Sequence, residues 1–362
     1  MPKQESGCRK QGAGSGKAEN SPLHHHRKYA IINKRTPLCF RTWQQQCNKE
    51  KYRLDHMNFI KALKSNSISD MQNVPKSDLH SHAGRGGTIA YVENMLKIKL
   101  TPLVEPLSSI AEMNRWFQDN IKRHFPDNNG YIQRVAAAFV QAKADNISVL
   151  AMSYGVGEVY YLGGIDIFIA VMDGLHKAFA PETIFLPDLF LWETDDLFKL
   201  DELFSANWFR GVDICNYAGT MSMADMKSIS RKARAHSLIT KAHVGESGGA
   251  DDVMRYAEEL ELDQIQHGIA AAESPQIMQW LAKNKIQLNV CPTSNILLKN
   301  TKSYGTHQIR KLFNYGVPVT INSDDLLIFN ASVSQEFLNL YNAGLMTAEE
   351  LNAIRETGLS SI

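Results

Sequence analysis

From Met57 onward the chain alternates short apolar runs with segments whose apolar residues recur every three or four positions. The runs cover 77–80, 148–154, 184–192, 211–214, 238–243, 264–267, 286–290 and 317–321, which makes eight candidate strands. Short, nearly continuous apolar runs are what strands covered on both faces look like. Between several of them lie helical periods; across 252–260, Val253, Met254, Tyr256, Ala257 and Leu260 fall on one stripe. Strands alternating with helices imply right-handed crossovers and a parallel sheet. Eight such units predict an α/β fold, a (β/α)8 barrel of the TIM type, with its functional residues at the C-terminal strand ends. The stretch 85–146 is far longer than one crossover and contains helix-like segments around Trp116 and Phe117. A helical lid inserted after the first strand is therefore expected, with Trp116, Phe117 and Tyr131 packing it or lining its entrance.

Composition adds a boundary. Residues 1–56 carry twelve Lys or Arg against four Asp or Glu, while the whole chain of 362 residues has a net charge of +1, so the remainder is acidic. The basic stretch has no apolar period and is expected to be a disordered tail, leaving 57–362 as one folded unit. Its His24-His25-His26 reads as a polar tract rather than a metal site. An acidic body excludes nucleic acid as an expected partner, because phosphate recognition needs a basic face. Five irregularly spaced cysteines make neither a disulfide framework nor a thiolate zinc site, which suits a reducing cytoplasm. With no apolar run of 18 residues and no apolar leader, neither membrane insertion nor secretion is expected.

The candidate chemistry lies at the ends of the predicted strands. His80 and His82 are two apart on the first, so both imidazoles leave the same face. His243 ends the fifth strand, His267 ends the sixth, and Asp324-Asp325 follow the eighth. Each taken singly reads as an ordinary core or loop residue, but five coincidences at strand ends do not. Three histidines and a carboxylate suit a catalytic zinc, one per chain, which lowers the pKa of a coordinated water to about 7. Glu246, three residues beyond His243, places a general acid or base in the overlying loop.

The segments SDLHSH at 77–82, HVGE at 243–246, QHG at 266–268, CPTSN at 291–295 and NSDD at 322–325 resemble, in order and spacing, the motif series of the adenosine deaminase family. The resemblance runs from about Met57 to the end of the chain and is strongest from His243 to Phe329. It implies hydrolysis of a purine 6-amino group to the 6-oxo product with release of ammonia. It further implies that His80, His82, His243 and Asp324 hold the zinc and Glu246 donates a proton to ring N1. His267 would orient the attacking oxygen, and Asp325 would bond the ring near N7. Cys291 reads as a small buried residue rather than a nucleophile.

Two departures concern the substrate. Adenosine deaminases of this kind follow the second histidine with Leu-Asp-Gly and use that Asp for the ribose 5′ hydroxyl, but here the chain reads Ala83-Gly84-Arg85-Gly86-Gly87. Arg85 there is either an anion-binding fork, suited to phosphate, or a solvated loop residue. After the fourth strand, Asn216 stands where the family has a Gly meeting the purine near N3, with Gly219 as the alternative. The expected ligand is thus a purine nucleoside or nucleotide, adenosine or a close relative. Adenine, AMP, an N6-substituted AMP, another substrate on the same metal barrel, and a catalytically weak nucleoside-binding protein are the competing readings.

Overall fold

The computed structural model describes residues 50, 53–217 and 219–361. Eight strands form one parallel sheet in chain order: β1 Lys76–His82, β2 Ile147–Gly155, β3 Ile184–Leu191, β4 Gly211–Cys215, β5 Ile239–Val244, β6 Gln264–His267, β7 Gln287–Val290 and β8 Val319–Ile321. All eight predicted runs are strands, displaced by two residues or fewer at either end. The sheet curls until its edges meet: Asp324 N–H donates to His80 O at 2.9 Å, Leu79 N–H donates to Asn322 Oδ1 at 2.7 Å, and Ser81 bridges Asp324 in parallel. This is a (β/α)8 barrel, nearly closed, with β1 joined to the residues that follow β8.

Outward residues of the strands feed one continuous core shared with the surrounding helices, among them Leu150, Val212, Ile214, Ala242 and Ile265. Inward residues are polar on several strands. Lys241 Nζ donates to Asp188 Oδ2 at 2.5 Å, both side chains 2% exposed, one layer beneath His243 on the same face of β5. An isolated buried charge costs several kcal/mol, so this pair is tolerable only because each partner is present.

The insertion after β1 is helical as expected: Ile89–Leu96 and Ile110–Asn120 precede the longer helix Asn128–Ala144 that returns the chain to β2. Its N-cap Asp127 accepts from Gly130 N–H at 2.8 Å. The first two helices make a second, separate core, with Val92, Met113, Phe117 and Ile121 packed against Leu327, Ile328 and Phe329 just beyond β8. The insertion therefore covers the barrel where its first and last strands meet. Phe117 and Tyr131 are buried in packing, as their apolar area favours.

The expected boundary at Met57 requires a correction. A helix covers 53–64, so Met57 falls within it, and His56 Nδ1 accepts from Asn352 Nδ2 at 2.7 Å. Residues 53–56 carry no buried side chain, Leu54 among them being exposed, and the first residues of the helix to face the core are Phe59, Ala62 and Leu63. The expected disorder of 1–49, and the His24–His26 tract, lie outside the described residues. Among the described residues no helix is long and apolar enough to cross a membrane.

Candidate active site

At the C-terminal mouth of the barrel, four donor groups converge. His80 Nε2 lies 3.1 Å from His243 Nε2 and 3.6 Å from Asp324 Oδ1, and His82 Nε2 lies 3.5 Å from the same oxygen. Tetrahedral zinc with ligand bonds of about 2.0–2.1 Å spaces its donors about 3.3 Å apart, so this set fits such an ion. Hydrogen bonding selects the nitrogens. His243 Nδ1 donates to Asp213 Oδ1 at 2.8 Å, and His80 Nδ1 faces Asn289 O at 3.5 Å and Cys291 Sγ at 3.4 Å. In both rings Nε2 is thereby left as a lone-pair donor toward the common point.

Electrostatics point the same way. Burial, then the neighbouring imidazoles, holds His80 well below the ordinary 6.5, and burial brings His82 to about 4. Neutral imidazole is the form that binds a metal. His243 goes the other way: burial lowers it, but Asp213, Asp324 and Glu246 together outweigh burial and raise it. Asp213 stabilises positive charge on this ring, whether a proton or a metal brings it. Asp213 in turn accepts from Ser153 Oγ at 3.1 Å and Gln266 Nε2 at 3.3 Å, fixing its own orientation.

Two further groups stand on the open side of the cluster. His267 Nε2 lies 3.7 Å from Glu246 Oε2 and 3.9 Å from Asp324 Oδ2, and its Nδ1 accepts from Asn295 Nδ2 at 3.2 Å. Its proton is therefore on Nε2, facing the site, which makes it a donor rather than a ligand. Glu246 is buried, and burial raises its carboxyl above the ordinary 4.5, as a proton donor at neutral pH requires. The hydroxyl of Tyr217 donates to Glu246 Oε2.

The backbone is bent to deliver these groups. His267 and Asp324 adopt φ of +65° and +58°, a left-handed conformation costing on the order of 1–3 kcal/mol each for residues with a Cβ. Gly245, at φ +73°, returns the chain over the mouth; a Cβ there would come 2.4 Å from Val253 Cγ2, so no other residue fits.

Arg85 also reaches this mouth. Its Nη1 donates to Asp325 Oδ2 at 2.7 Å and its Nη2 to Asn114 Oδ1 at 3.0 Å, with the guanidinium 4.6 Å from the Phe117 ring centre and the side chain 27% exposed. It thus ties the insertion to the end of β8. Asn216 uses its side-chain amide within its own loop, donating to Met221 O at 2.9 Å and accepting from Met221 N–H at 3.0 Å. Gly219 N–H donates to Asn216 O at 3.0 Å. Cys291 is fully buried and burial pushes its thiol well up, so it is inert as a nucleophile.

Sequence reading missed Asp213, Tyr217 and the part played by Asn295. The signal for Asp213 was present, an acid in the middle of an apolar run, where burial demands a cationic or donating partner. Tyr217 carried none, because its partner is 29 residues away on another loop.

Residues 216–361 match the family described as adenosine deaminase. The chain is 25% identical over 297 residues to a putative adenosine/adenine deaminase of Treponema pallidum, an alignment spanning 80% of this chain and 99% of that protein. The fold is similar to that of an amidohydrolase from Burkholderia ambifaria solved with bound zinc (TM-score 0.63, 16% identity, 81% of this chain and 86% of that one). It is also similar to the N6-methyl-AMP deaminase of Arabidopsis thaliana (TM-score 0.66, 16% identity, 81% and 93%).

Proposed function

We propose that the chain, whose residues 216–361 match the adenosine deaminase family and which is similar along most of its length to a putative adenosine/adenine deaminase, is a zinc enzyme replacing the 6-amino group of an adenine nucleoside or nucleotide with oxygen. The observation that carries this reading is the spacing of His80, His82, His243 and Asp324, with Glu246 and His267 on the open side of that set. These four residues would hold the ion. Zinc supplies Lewis acidity, bringing a water's pKa to about 7. Glu246 delivers its proton to ring N1, which makes C6 electrophilic, and the Nε2–H of His267 orients the attacking oxygen and takes up its developing charge. Asp325 bonds the ring near N7. Of the two candidates for the N3 side we assign the backbone N–H of Asn216, whose side-chain amide is engaged with Met221, because the Gly219 N–H donates to Asn216 O.

Arg85 decides the sugar end in this reading. Where a 5′-hydroxyl contact would need an acceptor, the chain offers a half-buried guanidinium on an aromatic face, the geometry that suits a phosphate. We assign a 5′-phosphorylated adenine nucleotide as the better substrate, in keeping with the N6-methyl-AMP deaminase likeness. We propose a cytoplasmic location, which suits the free thiols of Cys215 and Cys291. The deciding experiment is ammonia release from adenine, adenosine, deoxyadenosine, AMP and N6-methyl-AMP, with zinc and after chelation. Zinc-dependent release, greatest on the phosphorylated pair, is expected; no release from any of the five by zinc-loaded protein overturns the reading.

A further inference from the structure

A chain of three hydrogen bonds runs from His267 away from the site to a histidine that touches none of the reacting groups. His307 is 2% exposed, Asn295 0% and His267 1%. The chain has a fixed point, because Ile309 N–H can only donate, and it donates to His307 Nδ1 at 3.1 Å. Neutral His307 must then carry its proton on Nε2, and burial does keep this ring neutral, bringing it down to about 4. That Nε2 lies 3.3 Å from Asn295 Oδ1, so the atom it faces is the amide oxygen and the amide nitrogen points the other way. The Asn295 amide nitrogen is 3.2 Å from His267 Nδ1, which must accept. Each bond settles the direction of the next, from a backbone amide to the proton on His267 Nε2.

We infer that His307 is a positioning residue which, through Asn295, holds His267 in the tautomer that presents Nε2–H to the substrate side of the zinc site. The inference rests on the deaminase reading for its effect on turnover, while the tautomer itself is a property of the folded chain. Without the relay, the two tautomers of a neutral imidazole are close in free energy. A His267 with its proton on Nδ1 would offer a lone pair where the reaction needs a donor. A misplaced tautomer at a hydrogen-bonding catalytic histidine costs orders of magnitude in rate.

The test uses the full chain loaded with zinc and reads both the imidazole 15N shifts of His267, assigned by comparison with His267→Gln, and the kinetics on AMP and adenosine. His307→Phe removes the donor and should give mixed His267 tautomers with kcat lowered roughly ten- to a hundredfold and KM little changed. His307→Gln, whose amide can both accept from Ile309 N–H and donate to Asn295, should restore a pure Nε2–H tautomer and most of kcat. Asn295→Asp accepts from both neighbours and should drive the His267 proton to Nδ1. A pure Nε2–H tautomer and unchanged kcat in His307→Phe overturn the inference; so does a His307→Gln variant no better than His307→Phe. If the shifts move as expected while zinc-loaded parent protein turns over neither purine, the positioning role stands and the deaminase reading falls.

Discussion

The two halves of the barrel mouth are built on different terms. From β5 to β8, the side chains of the site leave a strand end or one of the four residues beyond it. His243, Glu246, His267, Asp324 and Asp325 all lie within the span matched by the adenosine deaminase family. From β1 to β4, His80 and His82 follow the same rule, but the rest of the mouth is made by loops and the inserted helices: Arg85 bound to Asn114, Phe117 beneath it, and Tyr217 reaching across to Glu246. In the proposed reading the β5–β8 half supplies most of the chemistry, with His80 and His82 completing the metal site from β1, and the loops of the other half decide what enters. Metal ligation demands donors about 3.3 Å apart, held here by strand ends and by a backbone hydrogen bond from Asp324 to His80, whereas a substrate's sugar end can be met from a loop that sequence change reshapes freely.

This division can be broken by substitution, and the largest effect is expected on the chemistry side. His243→Ala should remove both bound zinc and turnover, measured by metal analysis and ammonia release; full activity in metal-free protein would falsify the ligand assignment. Glu246→Gln should keep zinc and fold but lower kcat by about a hundredfold or more, and near-normal turnover would return Glu246 to a packing role. Arg85→Ala should leave zinc content unchanged and narrow the preference for AMP over adenosine by about ten- to a hundredfold, the worth of a charge-assisted contact. An equal loss on both substrates would mean that Arg85 only ties the insertion to Asp325.

The smallest effect on turnover is expected at Glu336, which is buried and donates nothing to the site but accepts from Thr293 N–H at 2.9 Å in the CPTSN segment. Burial pushes its carboxyl from the ordinary 4.5 to about 8. Between those values the unfolded chain has released the proton that the folded chain keeps, so this group's contribution to stability is complete below about 4.5 and is lost as pH rises toward 8. Glu336→Gln should therefore flatten the fall in Tm between pH 5 and 8 while leaving kcat alone. A Tm profile parallel to the parent's would show the carboxyl to be ionised in the folded protein.

The eight strands were legible because their outward faces repeat apolar residues that pack on the helices, even where the inward face is polar, and each run proved to be a strand. The convergence of His80, His82, His243 and Asp324 was legible for a different reason: one polar residue at a strand end can be a core or loop residue, but several in a barrel are brought to the same mouth. The helical residues 53–56 were not legible, since none of them is buried and the buried positions of that helix begin only at Phe59. Arg85 could be read either as an anion fork or as a solvated loop residue, and the contacts with Asp325 and Asn114 place it at the mouth.

Periodicity, strand-end polarity and motif order by themselves determined the fold class and the donor set, because both depend on local pattern and residue type. Which nitrogen of each histidine carries the proton, which carboxyl oxygen Tyr217 holds, and that Asp213 backs His243 were decided only by tertiary structure. Those properties depend on partners 28 to 30 residues or more away in the chain, and a hydrogen bond has a direction only once both of its ends are in place.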